Sequence, residues 1–312
     1  MKRIHVLVVL AFLVLASCSR DDKLSPAAWE RFRVERADTI TVSQRPQFTT
    51  ATTVRLLGVG NSWTMNCAVM LGYLLNDMGV KIEIGLAMRG AASLEQYADW
   101  IYNQSRELYF YRFHNGEWEI NNKERFTYDE ILRAEQWDIV TLQQFSGRAG
   151  QYATYQPFLR YIVHHTQQTL VSRPTFVLNA TWSYPWNVPA QYDYSSAAMY
   201  QANLRAYDQA MRDEHIHYIM PCAPAIQQLR QWEDVTGVDE ADGAHLDKVG
   251  RYAVACVWAE MLLHHLLNWQ DAPCITEGSL VFDGISPELG ARIRRLAHEV
   301  VENRRTYFPA CR

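Results

Sequence analysis

Beyond residue 17 the 312-residue chain has no apolar run long enough to cross a bilayer. It has no basic surplus either: 30 lysines and arginines face 34 acidic residues, a formal charge of −4. That balance argues against nucleic acid or an anionic lipid surface as the ligand. Cys-x-x-Cys, a phosphate loop and a dinucleotide fingerprint are all missing, so no cofactor is expected. Metal binding finds no support in spacing. The pairs His164–His165 and His264–His265 lie in helical segments without ligand spacing on one face, and both read as structural.

Cysteine is sparse, with six in all. Cys67, Cys222 and Cys256 fall in apolar patterns and read as buried thiols. Cys274 and Cys311 both lie in a C-terminal extension, 269–312, and are the least strained pair for a disulfide in an exported chain.

Residues 1–17 carry Lys2 and Arg3, an apolar run from Ile4 to Leu15 and then small residues before Cys18, the pattern of a secretory signal. Residues 18–50 are polar and poorly periodic, a tether and lead-in. From Thr53 onward apolar strands alternate with amphipathic helices, so 51–312 reads as one α/β domain with a mostly parallel sheet between helical layers. Five strands are expected, near 54–60, 80–88, 138–142, 174–180 and 217–220. Residues 108–120 break the rhythm. Tyr109, Tyr111 and Phe113 alternate, Asn115–Gly116 supplies a turn, and Trp118–Ile120 returns, a β-hairpin insertion in a position to serve as a lid.

The first strand carries the chemistry. Val54 to Val59 is an apolar run that breaks at Gly58 and Gly60 into Asn61–Ser62, and helical periodicity follows from Met65 to Met78. A serine at the carboxyl end of a parallel strand faces the crevice where open α/β sheets bind ligands. The same residues also fit a plain helix cap. Far downstream, Asp242-Gly243-Ala244-His245 puts an acid three residues before a histidine. The carboxylate can fix one imidazole tautomer and leave the other nitrogen as a base for a serine hydroxyl. The loop Thr181-Trp182-Ser183-Tyr184-Pro185-Trp186 follows the fourth strand. Its aromatics, with Trp63, suit stacking on a sugar and suit closing a core equally well.

Gly60-Asn61-Ser62 and Asp242-x-x-His245 resemble the first and last blocks of the SGNH (GDSL-type) serine esterases, and Met88-Arg89-Gly90-Ala91 falls where their second block supplies a glycine amide. A closer likeness is to a bacterial, Bacteroidota-type lipoprotein branch of that superfamily, shared through Trp137-Asp138-Ile139-Val140-Thr141-Leu142-Gln143-Gln144 and Asp242 to Leu246. The resemblance implies a flavodoxin-like three-layer α/β/α fold and acyl transfer by Ser62, His245 and Asp242. The superfamily's usual aspartate is Asn61 here, and the Gly-x-Asn-Asp third block is missing. The oxyanion donors are therefore expected to be the amides of Ser62 and Gly90 with Gln144 or Gln143 standing in for the absent asparagine.

Leu15-Ala16-Ser17-Cys18 resembles a lipobox, which implies lipidation of Cys18 and an exported protein anchored to a bacterial membrane, the outer one by the likeness to Bacteroidota lipoproteins. The expected substrate is an acylated carbohydrate, with Trp63, Trp182, Tyr184 and Trp186 as substrate contacts. An acyltransferase and a non-catalytic glycan-binding lipoprotein remain open beside the esterase.

Overall fold

A computed structural model describes residues 30–34, 48, 49, 51–267, 269 and 271–311. The signal segment 1–17, Cys18 and most of the 18–50 lead-in lie outside the described residues. In chain order β1 (Thr53–Gly60) leads into α1 (Ser62–Ala68), α2 (Leu71–Asp77), β2 (Lys81–Met88) and α3 (Leu94–Tyr102). A hairpin, β3 (Tyr109–His114) and β4 (Glu117–Glu119), precedes α4 (Tyr128–Arg133) and β5 (Ile139–Leu142). Next come α5 (Phe158–Thr169), β6 (Thr175–Asn179), α6 (Ser196–Glu214), β7 (Tyr218–Met220) and α7 (Cys222–Leu229). The chain finishes with α8 (Lys248–Met261), α9 (Pro287–Glu302) and the short α10 (Arg304–Tyr307).

The sheet runs β4-β3-β2-β1-β5-β6-β7. Its five expected strands, β2, β1, β5, β6 and β7, are parallel. Side chains of β1 alternate between two cores, as period two requires. Val54 and Leu56 pack with α1, α2, α8 and α9 on one face, while Leu57 and Val59 pack with α3, α5 and α6 on the other. This is the expected three-layer α/β/α arrangement. Covered on both faces, the carboxyl half of β1 is wholly buried, as a central parallel strand must be.

Three expectations are corrected. The helix expected from Met65 to Met78 begins at Ser62 and is broken after Ala68. At the break, the Trp118 indole donates to the Val69 carbonyl at 3.0 Å.

The hairpin is not a lid. It adds two strands to the sheet, with β3 antiparallel to β2 through register pairs from Ile84↔Phe113 to Met88↔Tyr109. Its turn has positive φ at both Asn115 (53°) and Gly116 (86°), the conformation that matches strand twist in a two-residue loop. Phe113 is fully buried, edge-on to Tyr73 and Trp118 at centroid distances of 5.1 and 5.6 Å. A β-carbon at Gly72 of α2 would overlap that ring.

The third correction concerns Cys274 and Cys311, which are free thiols. Cys311 belongs to the core beside α6, whereas Ile275, next to Cys274, packs in the opposite one. The sheet lies between them, beyond the reach of a disulfide.

A hairpin built into the sheet makes Phe113→Ala a core deletion. It should lower unfolding free energy by about 3–5 kcal/mol in urea titrations; a loss under about 1 kcal/mol, normal for a surface lid, would contradict this placement.

Candidate active site

Ser62 is the first residue of α1, where the central strand ends. Asn61 caps the helix, its side-chain oxygen accepting from the Trp63 N–H at 3.1 Å while its amide donates to the Ala92 carbonyl at 3.1 Å. The cap thus falls on Asn61, the residue before Ser62. The second-block loop lies alongside, because the Arg89 N–H donates to the Gly60 carbonyl and Tyr97 donates to the carbonyls of Gly60 and Ala87. Ala91 in that loop is held at φ 55°, a left-handed conformation uncommon outside glycine.

Ser62 Oγ lies 2.7 Å from His245 Nε2, and His245 Nδ1 lies 2.5 Å from Asp242 Oδ2. A carboxylate offers only acceptors, so Nδ1 carries the ring proton and Nε2 is left to accept from the serine hydroxyl. The other carboxylate oxygen of Asp242 accepts from the backbone N–H groups of Ala244 and His245 at 2.9 and 3.0 Å. Burial pushes the Asp242 carboxyl upward, but the hydrogen bonds from His245 and the two backbone amides outweigh it and leave its pKa below the ordinary aspartate value.

The Asp242–His245 loop is clamped by contacts that sequence reasoning did not anticipate. Asn66, one helical turn beyond Ser62, accepts from the Leu246 N–H at 3.0 Å. Trp182 donates its indole N–H to the Ala244 carbonyl at 3.1 Å. Arg230 grips Asp239 with two nitrogens, at 2.9 and 2.6 Å, and donates to the Ser183 carbonyl at 2.9 Å. Asp239 and Leu246 form a β-bridge that closes the base of the loop. The available signal was a buried asparagine at i+4 from the serine, in a helix otherwise apolar on that face.

The expected substrate aromatics divide. Trp63 and Trp182 are 2% and 0% exposed and stack on each other at 4.2 Å with 4° between planes, so they are core residues and do not face a ligand. Tyr184 is partly buried, and its hydroxyl shares a 2.7 Å hydrogen bond with Ser146. Burial raises its pKa, and the nearby Asp242 charge adds to the rise. Trp186 is 44% exposed and lies against Gly243 of the Asp242–His245 loop. A β-carbon at Gly243, already at φ 69°, would strike the indole.

Neither glutamine presents its amide as expected. Gln144 donates to the carbonyl and hydroxyl of Thr154 and accepts from the N–H groups of Leu94 and Phe145. Gln143 donates to Asn61 at 2.7 Å and accepts from Thr64 and Asn179. Both are buried and serve as braces beneath the loops, because each follows a strand whose two faces are already covered. That leaves the backbone amides of Ser62, at the open start of a helix, and of Gly90 as the expected donors near the serine.

A Ser-His-Asp line lies at the carboxyl edge of the central strand of a mostly parallel α/β sheet. The model of the DUF4886 family, a domain of unknown function, matches residues 55–271, and the chain belongs to that family. It is similar to the crystal structure of a DUF4886 family protein from Bacteroides uniformis, with 27% identity and a TM-score of 0.74 over 80% of this chain and 95% of that one. A candidate SGNH hydrolase from Slackia heliotrinireducens is 21% identical, with a TM-score of 0.49 over 68% of this chain and all of that one. A Clostridium thermocellum family 3 carbohydrate esterase is 14% identical, with a TM-score of 0.43 over 69% and 98% of the two chains. The last two likenesses are too remote to bear on chemistry. No curated protein matches the chain.

The depressed Asp242 pKa has a consequence for acid stability. The group stabilises the fold above its unfolded value of about 3.9, and that contribution is lost as pH falls through the lower folded value. The stability gap between wild type and Asp242→Asn should therefore be full near neutrality and shrink below about pH 4. Urea unfolding across that range tests this, and a gap independent of pH would refute it.

Proposed function

We propose that this protein is a serine ester hydrolase that removes acyl groups, acetyl foremost, from a carbohydrate. The observation that carries the reading is the unbroken line from Ser62 Oγ through His245 to Asp242, at 2.7 and 2.5 Å. In the reaction, Ser62 attacks the ester carbonyl as His245 Nε2 takes its proton, and Asp242 stabilises the imidazolium. The amides of Ser62 and Gly90 stabilise the oxyanion. The imidazolium then protonates the departing sugar oxygen, and water activated by His245 releases the acyl group as the acid.

The carbohydrate half of the proposal is supported by Trp186, an exposed indole lying on the catalytic loop, since a flat apolar ring matches the C–H face of a sugar. One observation favours a weaker enzyme or a glycan-binding protein: the two glutamine amides expected to replace the missing asparagine are already engaged. Losing one oxyanion donor typically costs about 10²–10³ in rate.

The decisive assay is hydrolysis of an aryl acetate and of an acetylated oligosaccharide. Ser62→Ala should abolish both without lowering the unfolding temperature, and Trp186→Ala should raise KM for the oligosaccharide while sparing the aryl acetate. A wild type that turns over neither substrate, but binds glycan, would transfer the reading to a binding protein. Acetyl found on an added glycan acceptor would make it a transferase.

We further propose that the chain is exported and lipid-anchored at Cys18, on the lipobox-like Leu15-Ala16-Ser17-Cys18. Fractionation tests this, because Cys18→Ala should leave the membrane fraction or accumulate as precursor; membrane retention equal to wild type would reject the anchor.

A further inference from the structure

At the far end of α8 from His245 lies a second group of reactive side chains that the proposed hydrolysis does not use. Glu260, in the last turn of α8, is fully buried. A carboxylate out of water demands a positive partner. Among the described residues its ion-pair partners are only His298 Nδ1 at 2.6 Å and His264 Nε2 at 3.7 Å. Cys274 completes the group, with Sγ 3.7 Å from Glu260 Oε1 and 3.5 Å from His298 Nδ1. The second carboxylate oxygen accepts from the Ile275 N–H at 2.9 Å, which fixes the carboxylate plane.

Two chemistries use a cysteine, a histidine and an acid, and the geometry separates them. A relay for a thiolate nucleophile needs the imidazole to meet sulfur with one nitrogen and carboxylate with the other, as His245 does with Ser62 and Asp242. His298 instead turns the same nitrogen, Nδ1, to both. Cys274 Sγ, His264 Nε2 and His298 Nδ1 thus each lie within 3.7 Å of one carboxylate oxygen, Glu260 Oε1, as donors grouped for an ion would. The ligand atoms of Glu260, His264 and Cys274 all lie within 4.8 Å of one another.

Bond lengths to zinc of about 2.0–2.3 Å imply tetrahedral edges of about 3.3–3.8 Å. Three separations, at 3.5, 3.7 and 3.7 Å, already match that size. The short one, 2.6 Å between His298 and Glu260, is a hydrogen bond that an ion would replace.

The geometry points to a structural binding site for a divalent transition metal, zinc by its ligand set, formed by Glu260, His264, Cys274 and His298. One thiolate, two imidazoles and one carboxylate suit zinc better than a hard cation such as calcium or magnesium. Binding displaces the Cys274 thiol proton into solvent, and the metal takes the place of the proton between His298 Nδ1 and Glu260, leaving His298 neutral with its proton on Nε2. His264 reaches the group as the i,i+4 neighbour of Glu260 at the end of the helix. The ion would tie the Cys274 segment and α9 to the end of α8. The proposal is independent of the esterase reading.

Titration of the purified protein with Co(II) and Zn(II) tests it. Wild type should develop the visible bands of tetrahedral cobalt with a thiolate-to-cobalt charge-transfer band, and zinc should both bleach them and raise the unfolding temperature. Cys274→Ser should lose the charge-transfer band, and His298→Gln should lose most of the thermal shift, while both retain wild-type circular dichroism without metal. The thiolate band discriminates against binding at Asp242 and His245. Absence of cobalt bands and of a zinc-dependent thermal shift in wild type, or a charge-transfer band that survives in Cys274→Ser, would overturn the site.

Discussion

Ser62 and His245 are 183 positions apart in the chain and meet at 2.7 Å, and much of the architecture around the site serves that meeting. The serine is fixed by the end of a strand buried on both faces. The histidine sits on a turn with no such support of its own, so its position is set by what grips the turn. Asn66 ties the turn to the serine's own helix, and Trp182, packed flat on Trp63, ties it to the same helix through an aromatic pair. Ser62 and His245 are therefore both referenced to α1, and a small shift of that helix would move them together.

The brace beneath them is polar. Gln143 links Asn61, Thr64 and Asn179, while Gln144 links the start of α3 to the Thr154 turn. In a buried layer each such group must find its partners, because an unmet donor or acceptor costs about 1–3 kcal/mol. Two glutamines in sequence after β5 thus stitch the loops after β1, β2 and β5 into one rigid edge, the property a preorganised site needs.

What was legible in the sequence was local. The strand-to-helix break at Gly60-Asn61-Ser62, the Asp242-x-x-His245 turn and the five parallel strands all depend on patterns within a few residues. What escaped depends on distant partners. Phe113 and its neighbours announce a hairpin, but only the free edge of β2 decides that the hairpin extends the sheet. Trp63 and Trp182 look like ligand platforms until their mutual stacking removes both from solvent. The Gln143 and Gln144 amides carry no mark of being already engaged. Asn66 is distinguished only by being polar on an apolar face. The cysteine, histidines and acid at the end of α8 come from separate segments, so no spacing rule would gather them, and adjacent His264 and His265 obscure the one that joins.

The hairpin also settles how the sheet ends. An open strand edge invites another chain to pair with it. Here the outermost strand, β4, is only Glu117-Trp118-Glu119, with both carboxylate side chains exposed. At the opposite margin β7 is equally brief, and the C-terminal turn lies over it, with Cys311 Sγ donating to the His217 carbonyl. Both rims are short, one charged and the other covered, so this sheet offers a second copy little backbone to recruit. Protection against edge-to-edge pairing is thus built into its margins and not its core.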